Sequence, residues 1–172
     1  MKLVVGLGNP GVEYELTRHN AGFIVLDENL LKLGFSVSDW KFEKKFDALI
    51  CSPSKDILFL KPQSFMNNSG KVVSAVLSYY KINPTDLFIV HDDVDLESCR
   101  VKKQFAAGSG GHNGVQDIID KLGSKEFWRL RIGVGRPPEN SFDIEDWVLG
   151  KLLEPEILFL KTLNLKDLFS LF

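Results

Sequence analysis

Leu3-Val4-Val5-Gly6-Leu7 constrains the fold more than any other stretch of this chain. It is a short, continuous apolar and β-branched run ended by a glycine-rich turn, which reads as a buried strand. Strands of that kind belong to sheets whose two faces are both covered by helices. The segment from about Asn20 to Leu33 supplies a first helix, with Asn20 as N-cap, Phe23, Ile24, Leu26, Leu30 and Leu31 at helical spacing, and Gly34 closing the end.

The alternation continues. Phe46 to Cys51 and Ile57 to Leu60 flank a Ser52-Pro53-Ser54-Lys55-Asp56 turn and predict a hairpin. A second helix begins near Asn67 to Ser69 and carries Val72, Val73, Val76, Leu77 and Tyr80 on one stripe. Strands are expected at Leu87 to His91, Arg100 to Phe105 and Trp128 to Val134, with a short helix over Val115 to Leu122 stopped by Gly123. At 172 residues and 44% hydrophobic, residues 1–172 fit one α/β domain of three layers, a twisted mixed sheet flanked by helices on both faces. The Leu- and Phe-rich tail from Ile157 is broken by Lys161, Asn164, Lys166 and Asp167, so it predicts an amphipathic helix packed on the domain and not a membrane span.

A net charge of -2 excludes a protein that coats nucleic acid through a large positive field. Local basic clusters remain at Lys41, Lys44 and Lys45, at Arg100, Lys102 and Lys103, and at Arg129, Arg131 and Arg136. Cys51 and Cys99 lack disulfide or zinc spacing, and no signal-peptide apolar region precedes Gly6, so a reducing cytoplasm is the expected home.

The chemistry-bearing residues fall at the ends of these elements. All three histidines adjoin a carboxamide or carboxylate: His19-Asn20, His91-Asp92 and His112-Asn113. Asn9 follows the first strand, Asn67 the strand ending near Leu60, and Asp92 the strand Leu87 to His91, while His19 and Asn113 stand where turns enter helices. Ligands of open α/β sheets gather outside the carboxyl ends of strands, so these five are expected on one rim.

Gly6-Leu7-Gly8-Asn9-Pro10-Gly11 matches the dinucleotide fingerprint, but that motif needs a helix to start at once, and here it starts near Asn20. A sharp loop delivering Asn9 into a cleft is the better reading. His91-Asp92-Asp93 lacks partners at metal-ligand spacing, and no Gly-x-Ser-x-Gly elbow or Cys beside a His supports covalent catalysis. Water is then the expected nucleophile, activated by a His that a carboxylate orients.

The stretch Tyr14-Glu15-Leu16-Thr17-Arg18-His19-Asn20-Ala21-Gly22, preceded by Gly8-Asn9-Pro10-Gly11, resembles the signature of bacterial peptidyl-tRNA hydrolases. Phe65-Met66-Asn67-Asn68-Ser69-Gly70, His91-Asp92-Asp93-Val94-Asp95-Leu96, Gly110-Gly111-His112-Asn113-Gly114 and Arg129-Leu130-Arg131-Ile132-Gly133-Val134-Gly135 resemble that family's other blocks in the same order. The resemblance implies hydrolysis of the ester joining a peptide to the 3'-terminal ribose of tRNA by a monomer, with no metal or organic cofactor. It casts His19 as general base and Asp92 as its orienting carboxylate. Asn9 and Asn67 would contact the peptide and its carbonyl, Asn113 would position water or the oxyanion, and Tyr14 and Met66 would line the cleft.

Lys102, Lys103 and Arg131 would meet tRNA phosphates. There the chain departs from the family pattern, with Gln104 where a Lys is usual and Gln116 in place of a basic residue. Of the two lysines only Lys102 shares the face of Gln104. The carboxyl-terminal tail also reads as shorter than usual. Two other classes are weighed: a non-catalytic RNA-binding relative, against which the joint presence of Asn9, His19, Asn67, Asp92 and Asn113 argues, and a nucleotide-dependent oxidoreductase, which the glycine fingerprint alone supports.

Overall fold

A computed structural model describes residues 1–138 and 143–170. Its seven strands are β1 (Lys2–Gly6), β2 (Lys41–Glu43), β3 (Ala48–Ser54), β4 (Ile57–Pro62), β5 (Leu87–Asp93), β6 (Val101–Phe105) and β7 (Trp128–Gly133). They form one mixed sheet in the order β2-β3-β4-β1-β5-β7-β6. The inner four, β4, β1, β5 and β7, are parallel, and β3, β2 and β6 add antiparallel edges. The helices are α1 (Ala21–Lys32), α2 (Ser69–Tyr80), α3 (Asn113–Leu122), α4 (Ile144–Leu149), α5 (Glu154–Thr162) and α6 (Leu165–Phe169).

The apolar runs of β1 and β5 feed two cores because alternate side chains leave a strand on opposite faces. Leu3, Val5, Leu87 and Ile89 pack with Val72, Val73 and Val76 of α2 and with Val115 and Ile118 of α3. Val4, Phe88 and Val90 pack with Val25, Leu26 and Leu30 of α1 and with Leu160, Leu165 and Phe169 of α5 and α6. Each fully buried Leu or Val contributes about 1.5–3 kcal/mol, so neither helix layer is dispensable. The three-layer α/β fold is the one the sequence predicts.

Boundaries and one role differ from the sequence reading. β1 ends at Gly6 and β4 runs on to Pro62. β2, with only three residues, has no readable period, and the tail folds as two short helices split at Leu163 and Asn164. Asn20 stands at the N-cap position of α1 without capping it. Its amide is used elsewhere: Oδ1 accepts from the Asn9 amide at 2.9 Å and Nδ2 donates to the Asn9 carbonyl at 3.0 Å.

The glycines after β1 serve packing. A Cβ on Gly6 would fall 2.7 Å from the carbonyl carbon of Gly22, one on Gly22 2.5 Å from the Leu7 amide nitrogen, and one on Gly8 2.7 Å from the Phe23 ring. The start of α1 therefore crosses the end of β1 at backbone contact. α1 begins only at Ala21, so no α-helix N-terminus stands at the Gly6–Gly11 turn as the dinucleotide fingerprint requires.

Candidate active site

A cavity of about 670 Å³ opens outside the carboxyl ends of the central strands. Asn9 enters it from the turn after β1, Met66 and Asn67 from the 3-10 turn after β4, Asp92 and Asp93 from the end of β5, and His112 and Asn113 from the start of α3. His19 comes from the 3-10 turn Arg18–Asn20 that leads into α1. Tyr14 and Phe65 meet edge to face across its mouth with ring centroids 6.3 Å apart. Ile144, Glu145, Val148 and Leu149 of α4 make a further wall. All seven residues the sequence reading assigned to catalysis or peptide contact thus line one cavity, whereas Lys102, Lys103 and Arg131 stand outside it.

Asp92 sits at the centre, 1% exposed. Its Oδ1 lies 2.9 Å from His19 Nδ1 and 3.0 Å from His112 Nε2, and its Oδ2 is 3.1 Å from the same His19 nitrogen. Burial by itself would push this carboxyl up, but the charge and hydrogen bonds of His19 and His112 outweigh it and hold Asp92 well below the usual carboxylate range. For His19, burial lowers the pKa, and the Asp92 carboxylate, with a smaller contribution from Glu145, overcomes it, so the net direction is upward from 6.5.

Backbone partners settle where the protons are. His112 is the N-cap of α3, and its Nδ1 accepts the Val115 amide at 3.3 Å, so the ring proton must sit on Nε2, facing Asp92. His19 likewise donates from Nδ1 to the carboxylate, which leaves Nε2 as its basic nitrogen. His19, Asp92 and His112 have ligand atoms within 4.8 Å of one another, a spacing that invites a metal ion. Both imidazole nitrogens that face Asp92 carry protons, however, and His112 would have to give up its cap to free Nε2. The trio fits a hydrogen-bonded relay better than an open ligand set.

His91 supports this group from below. It is fully buried, donates from Nδ1 to the Asp92 carbonyl at 2.6 Å, and packs edge to face on His112 at 4.7 Å. Burial, then His112 and Arg129, drive its pKa well below 6.5. Arg129, 2% exposed, donates from Nη2 to the Gly108 carbonyl at 2.7 Å and so ties down the loop that delivers His112.

Asn9 is oriented as tightly. Its backbone is clamped by Asn20, and its Oδ1 accepts the Met66 amide at 2.8 Å, so its NH2 group is left for the cavity. Asn67 and Asn113 are exposed at the rim.

Around the cavity, α4 is bolted to the residue beside His19. The Arg18 guanidinium lies 3.7 Å over the Trp147 ring, Arg18 Nη1 donates to the Trp147 carbonyl at 3.4 Å, and Trp147 Nε1 donates to the Gly135 carbonyl at 2.8 Å. Arg131 donates from Nε to Asp93 Oδ2 at 2.6 Å and from Nη1 to Gln104 Oε1 at 2.9 Å. Lys102 is opposite Arg131 in the β6–β7 ladder and both lysines are exposed, with Lys103 on the other face over Trp128.

Sequence reading missed two members of this site. His112 was legible as a histidine beside an amide, but its bond to Asp92 spans twenty residues and appears only when α3 docks. Glu145 itself is exposed and sits among the acidic residues of the short helix α4, whose apolar Ile144, Trp147 and Val148 predict packing but do not mark the carboxylate beside them as part of a site.

The model of the family described as peptidyl-tRNA hydrolase matches residues 3–166. The peptidyl-tRNA hydrolase of Mycoplasma capricolum is 43% identical over 164 residues, covering 94% of this chain and 86% of that protein. That of Rickettsia akari is 45% identical over 159 residues, 91% of this chain and 83% of its own length. The crystal structure of the Acinetobacter baumannii peptidyl-tRNA hydrolase superposes with a TM-score of 0.85 at 34% identity, over 94% of this chain and 82% of that one. With the family model spanning nearly the whole sequence and the fold shared, this chain belongs to the peptidyl-tRNA hydrolase family.

Proposed function

We propose that this protein hydrolyses the ester between a peptide and the 3'-terminal ribose of tRNA, with water as nucleophile and His19 as general base, acting as a monomer in the cytoplasm. The observation that carries the reading is the His19 Nδ1 to Asp92 Oδ1 bond of 2.9 Å, which leaves the opposite ring nitrogen basic in a cavity lined by three asparagines. Nε2 takes a proton from water as the oxygen attacks the ester carbonyl. Asp92, held ionised, stabilises the imidazolium that forms, and the proton then passes to the departing 3'-oxygen.

Asn9 and Asn67 are assigned to the peptide and its carbonyl, and Asn113 to the water or the oxyanion. A well-placed donor of that kind is worth about 2.7–4 kcal/mol in the transition state. The fixed amide of Asn9 supports its share, because a donor oriented beforehand needs no reorganisation during the reaction. Tyr14 and Met66 shape the cleft.

Lys102, Lys103 and Arg131 are assigned to the tRNA backbone. The exposure of both lysines on the edge strand β6 supports this. Arg131 is already matched by Asp93, so it offers phosphate a partly used guanidinium.

The test is release of labelled peptide from an N-blocked aminoacyl-tRNA by wild type and His19→Ala, both in EDTA, beside an unblocked control. Rapid cleavage of the blocked substrate only, lost in the variant while tRNA binding persists, is the expected result. Binding without cleavage by wild type would instead identify a non-catalytic RNA-binding relative.

A further inference from the structure

We infer that Glu145 makes this enzyme select its peptide by charge, favouring cationic over acidic residues next to the scissile ester. The inference rests on the peptidyl-tRNA reading above and concerns which peptides that same cavity takes.

The charged groups lining the cavity are matched in all cases but one. Asp92 holds His19 and His112, Asp93 holds Arg131, and Arg136 is held by Asp95 through Nε at 3.1 Å and Nη2 at 2.5 Å. Glu145 lies in the same wall as Ile144 and Val148, and among the described residues no cation forms an ion pair with it. An unmatched carboxylate in a concave, half-apolar wall focuses a negative field on whatever occupies the cavity. That field reaches the reacting centre, since Glu145 adds to the stabilisation of charged His19. Its carrier is held in place too, because α4 is fastened by the stacking of Arg18 on Trp147.

A positively charged substrate side chain entering this space gains a partner, and an acidic one meets repulsion from a group with no counter-ion. The neutral asparagines do not discriminate by sign. Glu145 is solvent-exposed, so the size expected is that of a screened surface contact, up to about fivefold either way.

The experiment compares kcat/KM for N-acetyl-Lys-, N-acetyl-Ala- and N-acetyl-Glu-tRNA with wild type, Glu145→Gln and Glu145→Lys. Wild type is expected to prefer the Lys over the Glu substrate by about tenfold or more at low salt, shrinking as KCl is raised. The ratio should collapse towards one in Glu145→Gln and invert in Glu145→Lys. Equal Lys-to-Glu ratios in wild type and Glu145→Gln overturn the inference even if all three substrates are cleaved. Failure of wild type to cleave the Ala substrate would instead overturn the hydrolase reading on which it stands.

Discussion

His112 donates from Nε2 to Asp92 Oδ1 across 3.0 Å while its other ring nitrogen caps α3, so one side chain both starts a helix and fixes the carboxylate that orients His19. Its removal should therefore show in two measurements. His112→Ala is expected to lower kcat by about ten- to a hundredfold, the cost of one hydrogen bond to a charged group, and to lower unfolding stability by about 1 kcal/mol through the lost cap. Full activity in single-turnover assays would remove His112 from the site's machinery.

Because Asp92 holds His19 above 6.5, the basic form needed for catalysis accumulates only as pH rises through that raised value. The acidic limb of kcat/KM should have its midpoint above 6.5. Asp92→Asn removes the attraction and leaves burial, which lowers the pKa, so the midpoint must move to lower pH while turnover falls. A midpoint that stays put in the variant would exclude the Asp92 carboxylate from setting the base.

His91 titrates with the opposite sign. Its folded pKa lies well below 6.5 while the unfolded chain takes up its proton near 6.5, so the unfolded state binds the extra proton and stability falls as pH drops below about 6.5. His19 contributes the other way, with stability present below 6.5 and lost as pH rises through its raised pKa. Ring proton shifts in NMR should show His19 titrating above 6.5 and His91 titrating only well below it. A His91 resonance that moves near pH 6.5 would contradict the burial argument.

The crossing of β1 and α1 leaves no room for a methyl group. Gly22→Ala should destabilise the fold by about 3 kcal/mol or more, because the added carbon meets the backbone of Leu7 and Val90, which cannot swing aside as a side chain can. Urea midpoints measure it, and a loss under 1 kcal/mol would mean that the two backbones separate easily.

Arg131→Ala should weaken tRNA binding and reduce the slope of log K against log salt by up to about one counterion. The ion pair with Asp93 sets that as an upper bound, because a guanidinium already matched releases less. An unaltered slope would assign Arg131 wholly to holding Asp93 and Gln104 in place.

Most elements were readable because local pattern and final environment agree. Leu3 to Val5 and Leu87 to Val90 are apolar without interruption since both faces of the sheet are covered, and Gly34 and Gly123 end helices at positive φ as their positions imply. The rim was readable for a simpler reason: Asn9 and Asn67 each follow a strand, Asp92 lies near the end of β5, which runs two residues past the expected end at His91, and these three strands are parallel neighbours. What local pattern could not give were partnerships over distance. An Asn before a helix looks like a cap whether or not it caps, and only the docked loop shows that Asn20 serves Asn9 instead. Gln104 likewise reads as a missing cation, yet its oxygen holds the guanidinium of Arg131.

The fastening of Arg18 to Trp147 and, at 3.8 Å, to Glu156 bears on how this protein is made. While on the ribosome the chain is itself an ester of tRNA, of the class it is proposed to cut. The turn that carries His19 is synthesised early, but its neighbour Arg18 finds its partners only after residues 147 and 156 have emerged. The wall of the cavity formed by α4 is therefore fastened to the His19 turn only when nearly the whole chain is available to fold, so the site is completed at the end of synthesis and not during it.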